Sequence, residues 1–297
     1  MTLADILLFT IKLSIFLTVL SFGLRATPSD IMHLFRRPGQ LIRALLSIFV
    51  VMPIVAIILI KLLPMDPVLE TTLVALSVSP VPPVLPNKAI QEEGQKSFTY
   101  GLLAAVSIIS VFVIPMAFRF MDAIFQKDNS FSDDATVRTI GLTILVPILG
   151  GMVILYFMPR LAARFADPLH KLGGTLLMVG FLPVLISLLP MIFTLIGSGW
   201  ALVSIVFAVV GVTVGYFFGG PANSIRKVLA LATASRHPAV AIALVTSNVT
   251  ASQKNLAIAS VIVYVLISGI VGAPFLTRLT NRREGPVEAP VAKEKLA

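Results

Sequence analysis

The sequence contains no cysteine, and its 297 positions hold only 14 acidic residues and three histidines. Without cysteine there is no disulfide framework and no thiolate metal site. Charged residues make up 12% of the chain, about half the share in an ordinary soluble domain, which is near 25%. That deficit excludes a soluble globular class. Catalytic signatures are missing too. His33, His170 and His237 are far apart in the chain, and neither an H-E-x-x-H nor a G-x-S-x-G pattern occurs. An enzyme buried in a membrane would need a nucleophile and base, or a metal cluster, at mid-depth, so the expectation is a protein that is not an enzyme and carries no cofactor. What the chain has in quantity is apolar surface: 57% of residues are hydrophobic and the mean hydropathy is +0.98.

Apolar runs of about 20 residues, each long enough to cross a hydrocarbon core of about 30 Å, recur along the whole chain. They predict an all-α polytopic membrane protein with nine transmembrane helices at 4–24, 41–63, 68–91, 97–120, 137–158, 172–195, 199–219, 224–249 and 255–279. Residues 1–280 then form a single transmembrane domain, and 281–297, which mix prolines with both charge signs, read as a disordered tail. The first run is too long for a cleavable signal peptide and lacks a basic lead-in, so it is read as a span. Nine spans put the termini on opposite sides. Of the 23 lysines and arginines, sixteen fall on one side, five on the other (Lys61, Arg119, Lys127, Arg138, Lys254), and Lys12 and Arg236 lie within spans. The positive-inside rule places the N-terminus outside and the C-terminus in the cytoplasm. The formal net charge of +9 is accounted for by loops and tail, so nucleic acid is not an expected partner and the lipid bilayer is.

Two stretches share one plan. LVALSVSPVPPVLPNKAI precedes a helix ending at Pro115 to Arg119, and VLALATASRHPAVAIALVTSN precedes a helix ending at Pro274 to Arg278, an offset of 159 residues. Each stretch is an apolar half-span, a polar break with proline, and a second half. The broken spans are the third and the eighth, so an odd separation sends them across the membrane in opposite directions. Inverted repeats are expected at roughly 4–120 and 199–280, with 137–195 between them. Broken backbone in a membrane is tolerated where protein or a wet cavity covers it, and matched breaks point to a binding site.

The segment FGLRATPSDIMHLFRRPGQLIRALLSIFVVMPIVAIIL, with LSVSPVPPVLPNKAIQEEG and ATASRHPAVAIAL, resembles the bile acid:sodium symporter family. The resemblance implies a panel region and a core region, two broken helices crossing at the site, and transport as a secondary carrier. It also implies sodium sites built on an asparagine after the first break and on a glutamate and a glutamine around the second. Those positions fall at Pro86 (beside Asn87), Ala232 and Arg236, so the sodium pattern is not kept.

The breaks carry cations instead. Lys88 opens the second half of the third span, and Arg236 and His237 sit at the break in the eighth, whereas no acidic residue falls at mid-membrane. A charge inside a membrane costs at least about 2.5–3.5 kcal/mol, and a half-helix N-terminus is already positive. The expectation is a site for a small organic anion, a carboxylate, made from Lys88, Arg236, His237, Asn87, Ser79, Thr233 and Ser235, with sodium doubtful and proton coupling through His237 open. Alternatives stand beside it. Lys88 can snorkel to the surface. Arg236 can plug the vacated sodium site by bonding backbone carbonyls. His237 can be a satisfied core residue, and small polar residues can glue helices together. The functional alternatives are a sodium-coupled bile acid-type symporter and a non-transporting sensor, and the expected location is a bacterial inner (plasma) membrane.

Overall fold

The computed structural model describes residues 3–25, 32, 34–82, 93–125 and 141–280. Its secondary structure is helical throughout, with no strand among the described residues. The helices are α1 (Leu3–Gly23), α2 (Pro38–Leu62), α3 (Pro67–Val78), α4 (Glu93–Phe125), α5 (Val146–Phe157), α6 (Pro159–Gly197), α7 (Trp200–Phe218), α8 (Asn223–Ala234), α9 (Pro238–Ser247) and α10 (Lys254–Thr280). Among the described residues, five stretches are long and apolar enough to cross a membrane: α2, α6, α7, Asn223–Ser247 and Ala251–Pro274. Four shorter apolar helices accompany them: Phe9–Gly23, Pro67–Val78, Phe98–Ser110 and Val146–Phe157.

Proline sets much of the local geometry. It opens α2, α3, α6 and α9 at their first turns, where its missing N–H costs nothing. The N-cap of α3 is Asp66, whose carboxylate accepts the Val68 N–H at 2.8 Å. Two helices also contain a π turn, Ser47–Val51 and Gly141–Leu145. Each lies just before a proline, Pro53 or Pro147. A proline ring crowds the carbonyl four residues back and offers it no donor, so the preceding turn widens.

The stretch 159–171 departs from expectation. Hydropathy puts a loop there, but α6 begins at Pro159 and runs 39 residues, about 58 Å at 1.5 Å per residue. The charges of Arg160, Arg164, Asp167 and Lys171 mark the segment as non-membrane, yet its Leu, Ala and Arg residues are good helix formers. An ion pair holds it down: Arg25 Nη2 reaches Asp167 Oδ1 at 2.5 Å.

Close approach of α1 to its neighbours is made by glycine. A Cβ on Gly23 would lie 2.3 Å from the Ile148 carbonyl oxygen, and one on Gly151 would lie 2.5 Å from the Leu20 carbonyl oxygen. Small residues allow such backbone contact between membrane helices. Helices α1, α5 and α6 form one packed group. The other group is centred on α3, α7, α9 and α10, whose main core includes Leu73, Leu76, Phe207, Leu244 and Tyr264 and also takes in Leu188, Ile192 and Leu195 from the far half of α6. Trp200 is buried there and donates from Nε1 to the Ser260 carbonyl at 2.9 Å.

Candidate functional site

The expected break between α8 and α9 is present, α3 ends where the first break is expected, and the two places touch. Helix α3 stops at Val78, and residues 79–82 are non-helical, with Ser79 at ψ 138°. Helix α8 stops at Ala234, followed by Ser235 at ψ 132° and His237 at ψ 105° before α9 begins at Pro238. Ser79, Val81 and His237 each precede a proline, and the proline ring pushes the residue before it out of the helical region. The backbone N–H of His237 donates to the Pro80 carbonyl at 2.9 Å. One break therefore hydrogen-bonds directly to the other.

Arg236 reinforces that junction. It is 2% exposed, and its Nη1 donates to the Ser79 carbonyl at 3.2 Å. Its Nε and Nη2 are buried with no hydrogen-bond partner among the described residues. The Tyr264 hydroxyl lies close to the guanidinium and itself donates to the Ala234 carbonyl, which the end of α8 would otherwise leave unpaired. No described carboxylate faces Arg236.

His237 points elsewhere. It lines a cavity of about 20 Å³ together with Val19, Phe22, Pro80, Val81, Leu103, Ser107 and Ile148. Val19 and Phe22 belong to α1 and Ile148 to α5, so the cavity lies between the α1–α5–α6 group and the broken helices. Neither ring nitrogen of His237 has a hydrogen-bond partner among the described residues. The volume is about that of one water probe, so the cavity as it stands is too small for an organic anion.

The remaining expected residues divide. Ser79 is fully buried; its hydroxyl donates to the Ala75 carbonyl at 2.6 Å, and its own carbonyl receives Arg236. Thr233 turns toward α2, where its Oγ1 is 3.1 Å from Ser47 Oγ, beside the π turn. Ser235 is half-buried within the break, and its N–H donates to the Leu231 carbonyl at 2.8 Å. Ala232 is fully buried. Pro86, Asn87 and Lys88 lie outside the described residues. Lys12 is exposed on α1. Sequence reasoning missed Tyr264, Ser47 and Ser107. A tyrosine in an otherwise apolar helix was the available signal for the first, since a buried hydroxyl needs a partner; the two serines carried none.

No curated protein matches the sequence. The family model described as the sodium bile acid symporter family matches residues 12–216, from the middle of α1 almost to the end of α7. With that match over more than half of its length and with helices long and apolar enough to span a membrane, the chain belongs to the sodium bile acid symporter family, a family of multi-pass membrane transporters.

Proposed function

We propose that the protein is a secondary carrier for a small organic anion, a carboxylate, working by alternating access without sodium. The observation that carries this reading is Arg236, a buried guanidinium bonded across the two breaks, at a position where the family resemblance implies a sodium-site glutamine. A tethered cation there supplies permanently the positive charge that a bound ion supplies transiently. No described acidic residue stands nearby to hold sodium as well.

Nine spans and an inverted repeat belong to the same proposal, and the element order supports them. Shifting residue numbers by 159 carries α1 onto 162–182 within α6, α2 onto 197–221 over α7, α3 onto 226–237 over α8, and α4 onto 252–284 over α10. Helix α5 is left without a counterpart, and the counterpart of α9 falls on 79–88, mostly outside the described residues. This assigns α6 to the second copy, where sequence alone leaves 137–195 outside both. Ser14 Oγ donates to the Gly173 carbonyl at 2.7 Å, a pair 159 residues apart. Contact between equivalent positions is what a two-fold axis in the membrane plane requires.

His237 is the group that meets substrate. It faces the cavity between the two helix groups, whereas Arg236 does not line it. When the groups rock apart and the cavity widens, a neutral imidazole offers one donor and one acceptor to a carboxylate, with Ser107 beside it. It is also the titratable group available for proton coupling. Asn87 and Lys88 are proposed to complete the site from the second half of the third span. The location proposed is a bacterial inner membrane, with the N-terminus outside.

The test is uptake of radiolabelled cholate into proteoliposomes, run beside binding of cholate to the purified protein. His237→Ala should weaken binding at least tenfold, about 1.4 kcal/mol, with the fold retained. Unchanged binding would remove His237 from the site. Binding without flux in the unsubstituted protein would instead identify a sensor.

A further inference from the structure

A second set of cations lies away from the breaks, where α7 turns into α8. The turn is Gly219-Gly220-Pro221-Ala222. Gly220 has φ 78°, and a Cβ there would lie 2.8 Å from Nη1 and 3.0 Å from Nη2 of Arg43. The Arg43 guanidinium therefore rests against the bare α-carbon of Gly220, a place only glycine leaves open. Arg43 also donates from Nε to the Gly39 carbonyl at 2.9 Å, which fixes its course along α2. Arg226, in the first turn of α8, donates from Nε to the Gly220 carbonyl and stacks over the Tyr216 ring at 5.5 Å. Two half-buried guanidinium groups thus converge on one glycine. Their terminal nitrogens have no protein acceptor among the described residues.

Bringing two like charges together at a partly desolvated point is unfavourable. Holding both rigidly, by hydrogen bond and by stacking, adds lost side-chain freedom. An anion between them reverses that balance. The planar fork of arginine matches phosphate oxygens in pairs. The N-terminus of α8 adjoins the pair, and its N-cap Ala222 makes no side-chain cap, so first-turn N–H groups remain open to an anion. Beside the arginines the helices are greasy: Ile42 on α2 is 54% exposed and Phe217 on α7 is 75% exposed. A charged site above an exposed apolar wall has the outline of a lipid, headgroup and chain.

We propose that Arg43 and Arg226 bind the phosphate of an anionic phospholipid headgroup at the α7–α8 turn. The site ties α2 to the entry of the broken helix α8, so an occupied headgroup braces the helix pair that carries Arg236.

The experiment uses the full chain, delipidated in uncharged detergent, with phosphatidylglycerol or phosphatidylcholine added. Phosphatidylglycerol should raise the apparent Tm by about 3–5 °C more than phosphatidylcholine does. Arg43→Gln and Arg226→Gln should each lose at least half of that difference, and Arg160→Gln, an exposed arginine on α6, should keep it. Native mass spectrometry of the unsubstituted protein in an equimolar mixture should show phosphatidylglycerol retained about tenfold over phosphatidylcholine, which tests the site even where a variant does not purify. Equal retention of the two lipids, or a full Tm difference in both glutamine variants, would overturn the proposal. An equal rise from inorganic phosphate alone would overturn the assignment to lipid in favour of soluble phosphate.

Discussion

Arg236→Gln is expected to lower organic anion flux at least tenfold while changing unfolding free energy by no more than about 1 kcal/mol, the size of a single net hydrogen bond. Two opposing terms set the stability side. The substitution removes the hydrogen bond from Nη1 to the Ser79 carbonyl, and bonds to charged groups contribute about 1.5–3 kcal/mol. It also removes a charge that is 2% exposed, and burying an ion costs several kcal/mol. Nε and Nη2, without partners among the described residues, return little of that cost. The two terms nearly cancel, so the fold survives. Function has no such compensation, because glutamine cannot neutralise an anion as it passes the junction. Thermal unfolding in detergent and flux in proteoliposomes, measured on the same preparation, separate the two effects. A collapse in stability that accounts for the whole loss of flux would make Arg236 a structural plug.

The double substitution Ala232→Glu with Arg236→Gln is expected to create a response to sodium. Ala232 and Arg236 are four residues apart, with Ala232 in the last turn of α8 and fully buried. The two substitutions restore the glutamate and glutamine that the family resemblance implies at these positions. In Ala232→Glu alone the Arg236 guanidinium still supplies the positive charge of the junction, which leaves no role for sodium. Removing the guanidinium as well leaves a buried carboxylate without a partner, which is strongly unfavourable until a cation arrives. Sodium should then raise the Tm of the double variant by about 3 °C or more, with no rise in the parent or in Ala232→Glu. An identical response in all three would contradict this reading of the two positions.

The break positions were legible because their cause is covalent. Pro80, Pro82 and Pro238 dictate extended backbone in the residues before them, and that constraint needs no tertiary context. The helical character of the chain was legible for a similar reason, since runs of apolar side chains report the solvent directly. What sequence could not show was direction within the site. Arg236 and His237 are adjacent, and both read as groups lining one anion site, yet the extended backbone at the break sends neighbouring side chains to opposite sides. One reaches the Ser79 carbonyl and the other the cavity beside Phe22. Thr233 went astray for the same kind of reason: its partner Ser47 is 186 residues away, on a turn widened by Pro53. The α6 extension from Pro159 was hidden because hydropathy marks where a membrane ends, and a helix need not end there.

The central claim is that a fixed guanidinium stands in for sodium at the crossing of the breaks. Its most direct test is initial-rate uptake of cholate by the unsubstituted protein in proteoliposomes, with external sodium replaced by choline at constant ionic strength. Rates within about twofold of each other, a difference under about 0.5 kcal/mol, are the predicted result. A rate that falls to the protein-free background when sodium is withdrawn would contradict the account.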